Sequence, residues 1–169
     1  MKHILYLLAV GALCSTASMA TANCQTGDWY ATGLQDGIDG RYANYIRDHR
    51  TRCQRLGVRV NQRDWQEGRL EGLRIYCTPE NAYSLGQRGR GFAPVCRGND
   101  REYVRAHDRG LEWHLLNEQF QEYRGLRARA LRDVQKARTP AEKRRREDVR
   151  AQITREMLAI QEKLDALKF

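Results

Sequence analysis

A chain of 169 residues with 30 Lys and Arg against 21 Asp and Glu carries a net charge of +9. Its mean hydropathy is −0.78, so apolar residues are used economically, and the length allows one domain of ordinary size or a small domain with an appendage. Beyond the N-terminus no stretch is apolar enough to span a bilayer, which excludes an integral helical membrane protein, and the arginine excess favours phosphate-rich or acidic partners.

Met1 to Ala20 opens with Lys2 and His3, runs apolar from Ile4 to Leu13 and ends in small residues, the order of a secretory signal peptide. Cleavage after Ala20 or after Ala22 satisfies the small-x-small rule. Cys14 follows Leu13 and Cys24 follows Asn23, so neither has the small residue that lipid attachment requires immediately before the cysteine, and no lipid anchor is predicted. The mature chain is therefore expected to be exported, to the periplasm or beyond. Four cysteines remain, Cys24, Cys53, Cys77 and Cys96, an even set in an oxidising compartment. They allow three pairings. An up-and-down helix arrangement favours Cys24–Cys53 and Cys77–Cys96 without excluding the others. The spacings contain no C-x2-C pair, and no zinc site is predicted.

Taken in order, Asp28 to Asp39 reads as a short helix broken at Asp39-Gly40, and Arg41 to Leu56 as a second, with Tyr42, Tyr45, Ile46 and Cys53 on one side. Gly57 stops it. Val58 to Gln62 is connector, with Asn61 the better cap for the helix that follows. Thr78-Pro79-Glu80-Asn81 starts a single turn around Tyr83, after which Gly86, Gly89, Gly91 and Pro94 predict irregular chain to Cys96. From Asp100 a sustained helix is expected. Thr139-Pro140-Ala141-Glu142 then announces another, with Thr at N-cap, Pro at N1 and Glu at N3. Val149, Ile153, Met157, Ile160, Leu164 and Leu167 step by three and four, a narrow seam suited to antiparallel return along the preceding helix or to self-association with another chain. The expected fold is all-α: a disulfide-linked helical domain over residues 24–115, continued by a helical hairpin over 116–169 that turns near 139–140.

One spacing recurs. Trp65, Gly68 and Gly72 share a helix face, and Tyr30, Gly33 and Gly37 and then Tyr103, Ala106 and Gly110 repeat the pattern. A helix glycine costs about 1 kcal/mol against alanine, so two at this spacing predict close helix packing. The surrounding residues are charged, so the glycines do not signal a membrane dimer.

The strings Cys24-x3-Asp28-Trp29-Tyr30-x2-Gly33-x2-Asp36-Gly37 and Asp64-Trp65-x2-Gly68-x2-Glu71-Gly72-Leu73-x2-Tyr76-Cys77-Thr78-Pro79-Glu80-Asn81-Ala82-Tyr83-x2-Gly86 resemble a bacterial envelope family classed only as a domain of unknown function. The resemblance covers about residues 24 to 115. Many of that family's members look like lipoproteins, and the likeness implies a small helical envelope domain and no assigned reaction.

Candidate chemistry is sparse. Nothing resembles a nucleophile elbow, a phosphate loop or an HExxH helix, so no catalytic residue and no cofactor is predicted. His107 and His114 lie seven residues apart on one helix, about 10 Å along its axis, too far for an easy two-histidine metal site. His49 and Cys53 share a face, but a disulfide at Cys53 removes the thiolate. Asp28 and Asp64 read as first-turn carboxylates that cap amides. A rival reading, an enzyme or an enzyme inhibitor, would have Asp36, Glu71 and His107 converge in a cleft between the glycine helices. The strongest exposed signal is basic. Between Arg124 and Arg146 ten Lys and Arg stand against Asp133 and Glu142. A bend at Thr139-Pro140 concentrates Arg132, Lys136, Arg138, Lys143, Arg144, Arg145 and Arg146 at one tip, the candidate contact for an anionic envelope component or an acidic protein. Without interleaved aromatics to stack bases, specific nucleic-acid binding is not predicted.

Overall fold

The computed structural model describes residues 24–25, 27–96 and 100–168. The predicted signal peptide and Cys14 lie outside them. Six helices make up the described chain: α1 (Trp29–Ile38), α2 (Ile46–Gln54), α3 (Gln62–Tyr76), α4 (Pro79–Gln87), α5 (Asp100–Gln135) and α6 (Pro140–Ala166). Their starts follow local chemistry. Asp28 accepts from the Ala31 amide, Asn61 from those of Arg63 and Asp64, Thr78 from that of Asn81 and Thr139 from that of Glu142, each satisfying amides that a first turn leaves free.

The helices pack as two pairs built on one plan. In the first, α1 and α3 run parallel, with α2 returning the chain between them. A Cβ on Gly33 would lie 1.9 Å from the Trp65 carbonyl oxygen, and one on Gly68 2.0 Å from that of Tyr30. The stripe glycines therefore let backbone meet backbone. In the second pair α4 runs parallel to α5, where Gly86 meets the His107 carbonyl and Gly110 that of Tyr83, both at 2.2 Å from the Cβ each lacks. Cys24-x5-Tyr30-x2-Gly33 in one unit answers Cys77-x5-Tyr83-x2-Gly86 in the other. Both disulfides are formed as Cys24–Cys53 and Cys77–Cys96.

Each unit has its own core. Cys24, Trp29, Ile46, Cys53 and Trp65 fill the first; Leu73, Tyr76, Ala82, Tyr83, Leu85, Tyr103 and Ala106 fill the second. α5 then leaves α4 and pairs with α6, which comes back antiparallel: Arg146 reaches the Asp133 carbonyl near the turn, and Arg109 reaches that of Leu167 at the far end.

Three local expectations are corrected. The helix predicted over Arg41 to Leu56 is shorter, preceded by a 3-10 turn at Ala43–Tyr45. The Arg41 carbonyl is taken by the Arg69 guanidinium at 2.8 Å, which keeps the chain extended through Tyr42, and Tyr42 is exposed rather than packed. α4 spans nine residues rather than one turn, because Gly86 is an approach point for α5 and not a breaker. Of the residues expected in the packing stripes, Tyr30 contributes its carbonyl while its ring stays exposed; the Tyr103, Ala106 and Gly110 face, for which the sequence names no partner, meets α4.

Candidate functional site

The hairpin tip is held by the Glu142 carboxylate and by a main-chain carbonyl. Glu142 accepts from the Arg138 amide at 2.9 Å and from the Arg146 guanidinium, while the same guanidinium reaches the Asp133 carbonyl across the turn. The Arg138 amide, followed by the charges of Arg146 and Arg145, holds the Glu142 carboxyl below its usual range. Arg146 is thus tied down as a brace between the helices. The other six candidates, Arg132, Lys136, Arg138, Lys143, Arg144 and Arg145, are exposed, and none of their side chains makes a hydrogen bond or ion pair among the described residues. From His114, the last α5 residue bonded to α4, to Gln135 the helix extends about 32 Å at 1.5 Å per residue, so this cluster stands well clear of the α4 contact.

The opposite end of the hairpin is clamped. Arg109 donates through Nε to the Leu167 carbonyl at 3.0 Å and through Nη2 to those of Ala166 and Lys168, three acceptors that the end of α6 leaves unpaired. Tyr83 adds its hydroxyl to the Leu167 carbonyl at 2.9 Å. α6 is therefore fastened to both helices of the second unit.

The residues of the rival cleft do not meet. Asp36 is buried, and its Oδ2 accepts from Trp65 Nε1 at 2.7 Å while lying 2.7 Å from His49 Nε2. Glu71 is on the surface beside Arg74 at 3.3 Å. His107 belongs to the other core, where Nε2 lies 2.8 Å from the Arg90 carbonyl and its ring packs edge-on against Phe92. No cleft separates the glycine helices, whose backbones touch. His114 is held at 3.1 Å from the Gln87 carbonyl, and no group of three or more metal-ligating side chains occurs among the described residues. An open groove of about 770 Å³ runs along α3, walled by Tyr42, Leu70, Leu73, Pro94 and the Cys77–Cys96 bridge.

The buried Asp36, His49 and Trp65 network was not read from the sequence. Its members stand 13 and 29 residues from Asp36, in three different elements, and no spacing rule joins them. The one available signal was an acidic residue on the same helix face as Gly33 and Gly37, an awkward position for a charge without buried partners.

Fold and site together define an all-α protein of two disulfide-linked, glycine-packed helix pairs with a projecting basic hairpin, and no described helix is long and apolar enough to cross a membrane. Residues 28–112 match the family model described as a protein of unknown function, DUF2799, and the chain belongs to that family. No curated protein and no solved structure matches the chain. The matched region ends close to where α5 leaves α4, so the tip lies beyond it.

Proposed function

We propose that this protein is an exported, non-enzymatic binding protein of the cell envelope, whose hairpin offers its basic tip to a phosphate-bearing lipid surface. The observation that carries the reading is the state of the tip: the Glu142 carboxylate and the Asp133 main-chain carbonyl hold the turn through Arg138 and Arg146, and six cations of one sign are left exposed without a partner among the described residues. Two disulfides support maturation outside the reducing cytosol. A long two-helix arm clamped at its root suits presentation at a distance from the folded head.

Sedimentation with vesicles of phosphatidylglycerol and phosphatidylcholine tests the proposal. The chosen variant is Lys143→Gln, Arg144→Gln, Arg145→Gln, which spares the bracing Arg146. Each basic residue near an anionic surface contributes about 1 kcal/mol, so loss of three lowers affinity at the tip by roughly a hundredfold at low salt, and raised salt weakens the wild type in the same direction. Equal vesicle binding by variant and wild type overturns the proposal, as does wild-type binding to an acidic protein with none to vesicles.

A further inference from the structure

A second basic surface lies in the first unit, on the segment that returns the chain from α1 to α3. From Arg41 to Arg59 there are Arg41, Arg47, Arg50, Arg52, Arg55 and Arg59 against a single acid, Asp48. All six arginines are exposed. The helix periodicity explains the segregation. Ile46, His49 and Cys53, at i, i+3 and i+7, turn inward onto Trp29, Trp65 and Cys24 and leave Arg47, Arg50 and Arg55 on the outer side. Because α2 is bound to this core by the Cys24–Cys53 disulfide, its outer charges are mounted on a rigid base.

The arrangement is organised rather than scattered. Tyr45 lies between two guanidinium groups, Arg41 at 4.7 Å and Arg52 at 5.8 Å from its ring centroid, and Arg50 is directed onto Gln62. Arg47, Arg55 and Arg59 have no side-chain partner among the described residues. Two large apolar side chains stand exposed in the same stretch, Tyr42 before the first turn and Leu56 directly after Arg55. Arginines flanked by an exposed tyrosine and leucine fit the headgroup level of a lipid layer, where cations meet phosphate and the apolar groups enter the acyl boundary. An acidic protein would match the charges but leave Tyr42 and Leu56 without a role.

The two basic surfaces are kept apart. One lies on the first unit and the other at the hairpin turn; between them α5 carries Glu112, Glu118 and Glu122 over residues 111–123 with no Lys or Arg, and the α6 stretch beside it carries Glu156, Glu162 and Asp165 against Arg155 and Lys163, so the shaft of the hairpin is net acidic. We infer that the Arg47, Arg55 and Arg59 surface is a second site for anionic lipid, and that one molecule joins two lipid surfaces, one held at the head and the other at the tip. This rests on the tip reading above and adds to it the second attachment.

The test uses the full chain and the same vesicles, reading binding by sedimentation and vesicle clustering by turbidity. The head variant is Arg47→Gln, Arg55→Gln, Arg59→Gln; the tip variant is the triple Gln change already described. The wild type binds and clusters. Each variant alone still sediments through its remaining surface, more weakly than the wild type, but loses clustering by about a hundredfold in the protein concentration required, and the combined variant does neither. A head variant that clusters like the wild type overturns this inference and leaves the tip reading intact. A tip variant that clusters like the wild type overturns the tip reading, and the bridge with it. Wild-type binding without clustering also overturns the bridge. Circular dichroism and intact disulfides in both variants exclude unfolding as the cause. Light scattering without vesicles identifies a dimer, and a dimer whose clustering survives the head substitutions overturns the second site.

Discussion

Gly37 and Gly72 face each other across the α1 and α3 contact, and a Cβ on either would lie 2.8 Å from the other's α carbon. Each would also fall within 2.3 Å of a backbone carbonyl oxygen, that of Arg69 or Leu34, so a methyl group is accommodated only by moving a helix. Alanine at either position therefore destabilises the fold by about 1–3 kcal/mol despite its better helix propensity. Urea unfolding followed by circular dichroism measures it. Gly125, in the middle of α5 with nothing within 4 Å, is the control: there Gly→Ala stabilises by about 0.5–1 kcal/mol. A Gly37→Ala protein with an unchanged urea midpoint refutes the backbone contact.

Asp36 serves two donors with one oxygen. Replacing Trp65 by Phe keeps most of the ring volume but removes the indole N–H that lies 2.7 Å from Asp36 Oδ2, leaving a buried carboxylate short of a partner. The expected cost is about 1–3 kcal/mol, and Asp36→Asn, which puts an amide among those donors, lowers stability in the same direction. Denaturant midpoints of the two single variants and the double variant check this. Additive effects of the two changes would refute the direct bond.

The disulfides differ in access. Cys24 and Cys53 are 3% and 1% exposed, whereas Cys77 and Cys96 are only half-buried and line the groove along α3. Mild reduction followed by alkylation and mass spectrometry is expected to label Cys77 and Cys96 first, because an attacking thiolate must reach the sulfur. The bridges close 29 and 19 residues, so on the loop-entropy account each contributes about 3–4 kcal/mol. Full reduction thus removes much of the stability of so small a fold. Labelling of Cys24 before Cys77 would contradict the structure.

Glu142 supplies a pH signature at the tip. Its folded-state carboxyl titrates below the ordinary carboxylate range, chiefly because the Arg138 amide donates to it. A depressed carboxyl contributes stability above its unfolded pKa and loses that contribution as pH falls through the lower, folded one. The difference in stability between the wild type and Glu142→Gln therefore shrinks as pH drops below about 4. Thermal unfolding of the pair across acid pH measures it, and a difference independent of pH removes the proposed cap.

The all-α plan and the helix caps were legible because each depends on chemistry close in sequence: Asn61 precedes the amides it caps and Thr139 precedes Glu142, while four cysteines left three pairings open and the observed one was only favoured. What required the structure was long-range choice. A glycine stripe marks a face without naming its partner, so the Tyr103, Ala106 and Gly110 face could not be assigned to α4 from spacing, and Gly86 read as a breaker when it is a contact. α2 begins late because Arg69, 28 residues further on, claims the Arg41 carbonyl. The basic tip was visible as composition, but the difference between Arg146, which braces the turn, and Arg144 and Arg145, which do not, depends on where Asp133 and Glu142 fall in space.

α5 passes unbroken from Tyr103, packed among Tyr76 and Phe92, to the turn that carries the exposed cations. It is a lever with its fulcrum inside the second core. A pull applied at the far end is delivered as torque to that aromatic cluster and as tension to the Arg109 and Tyr83 clasp on Leu167. Gly125, the glycine of the arm beyond the α4 contact, has nothing within 4 Å of an added Cβ and the poorest helix propensity there, and it is the point at which the lever bends first.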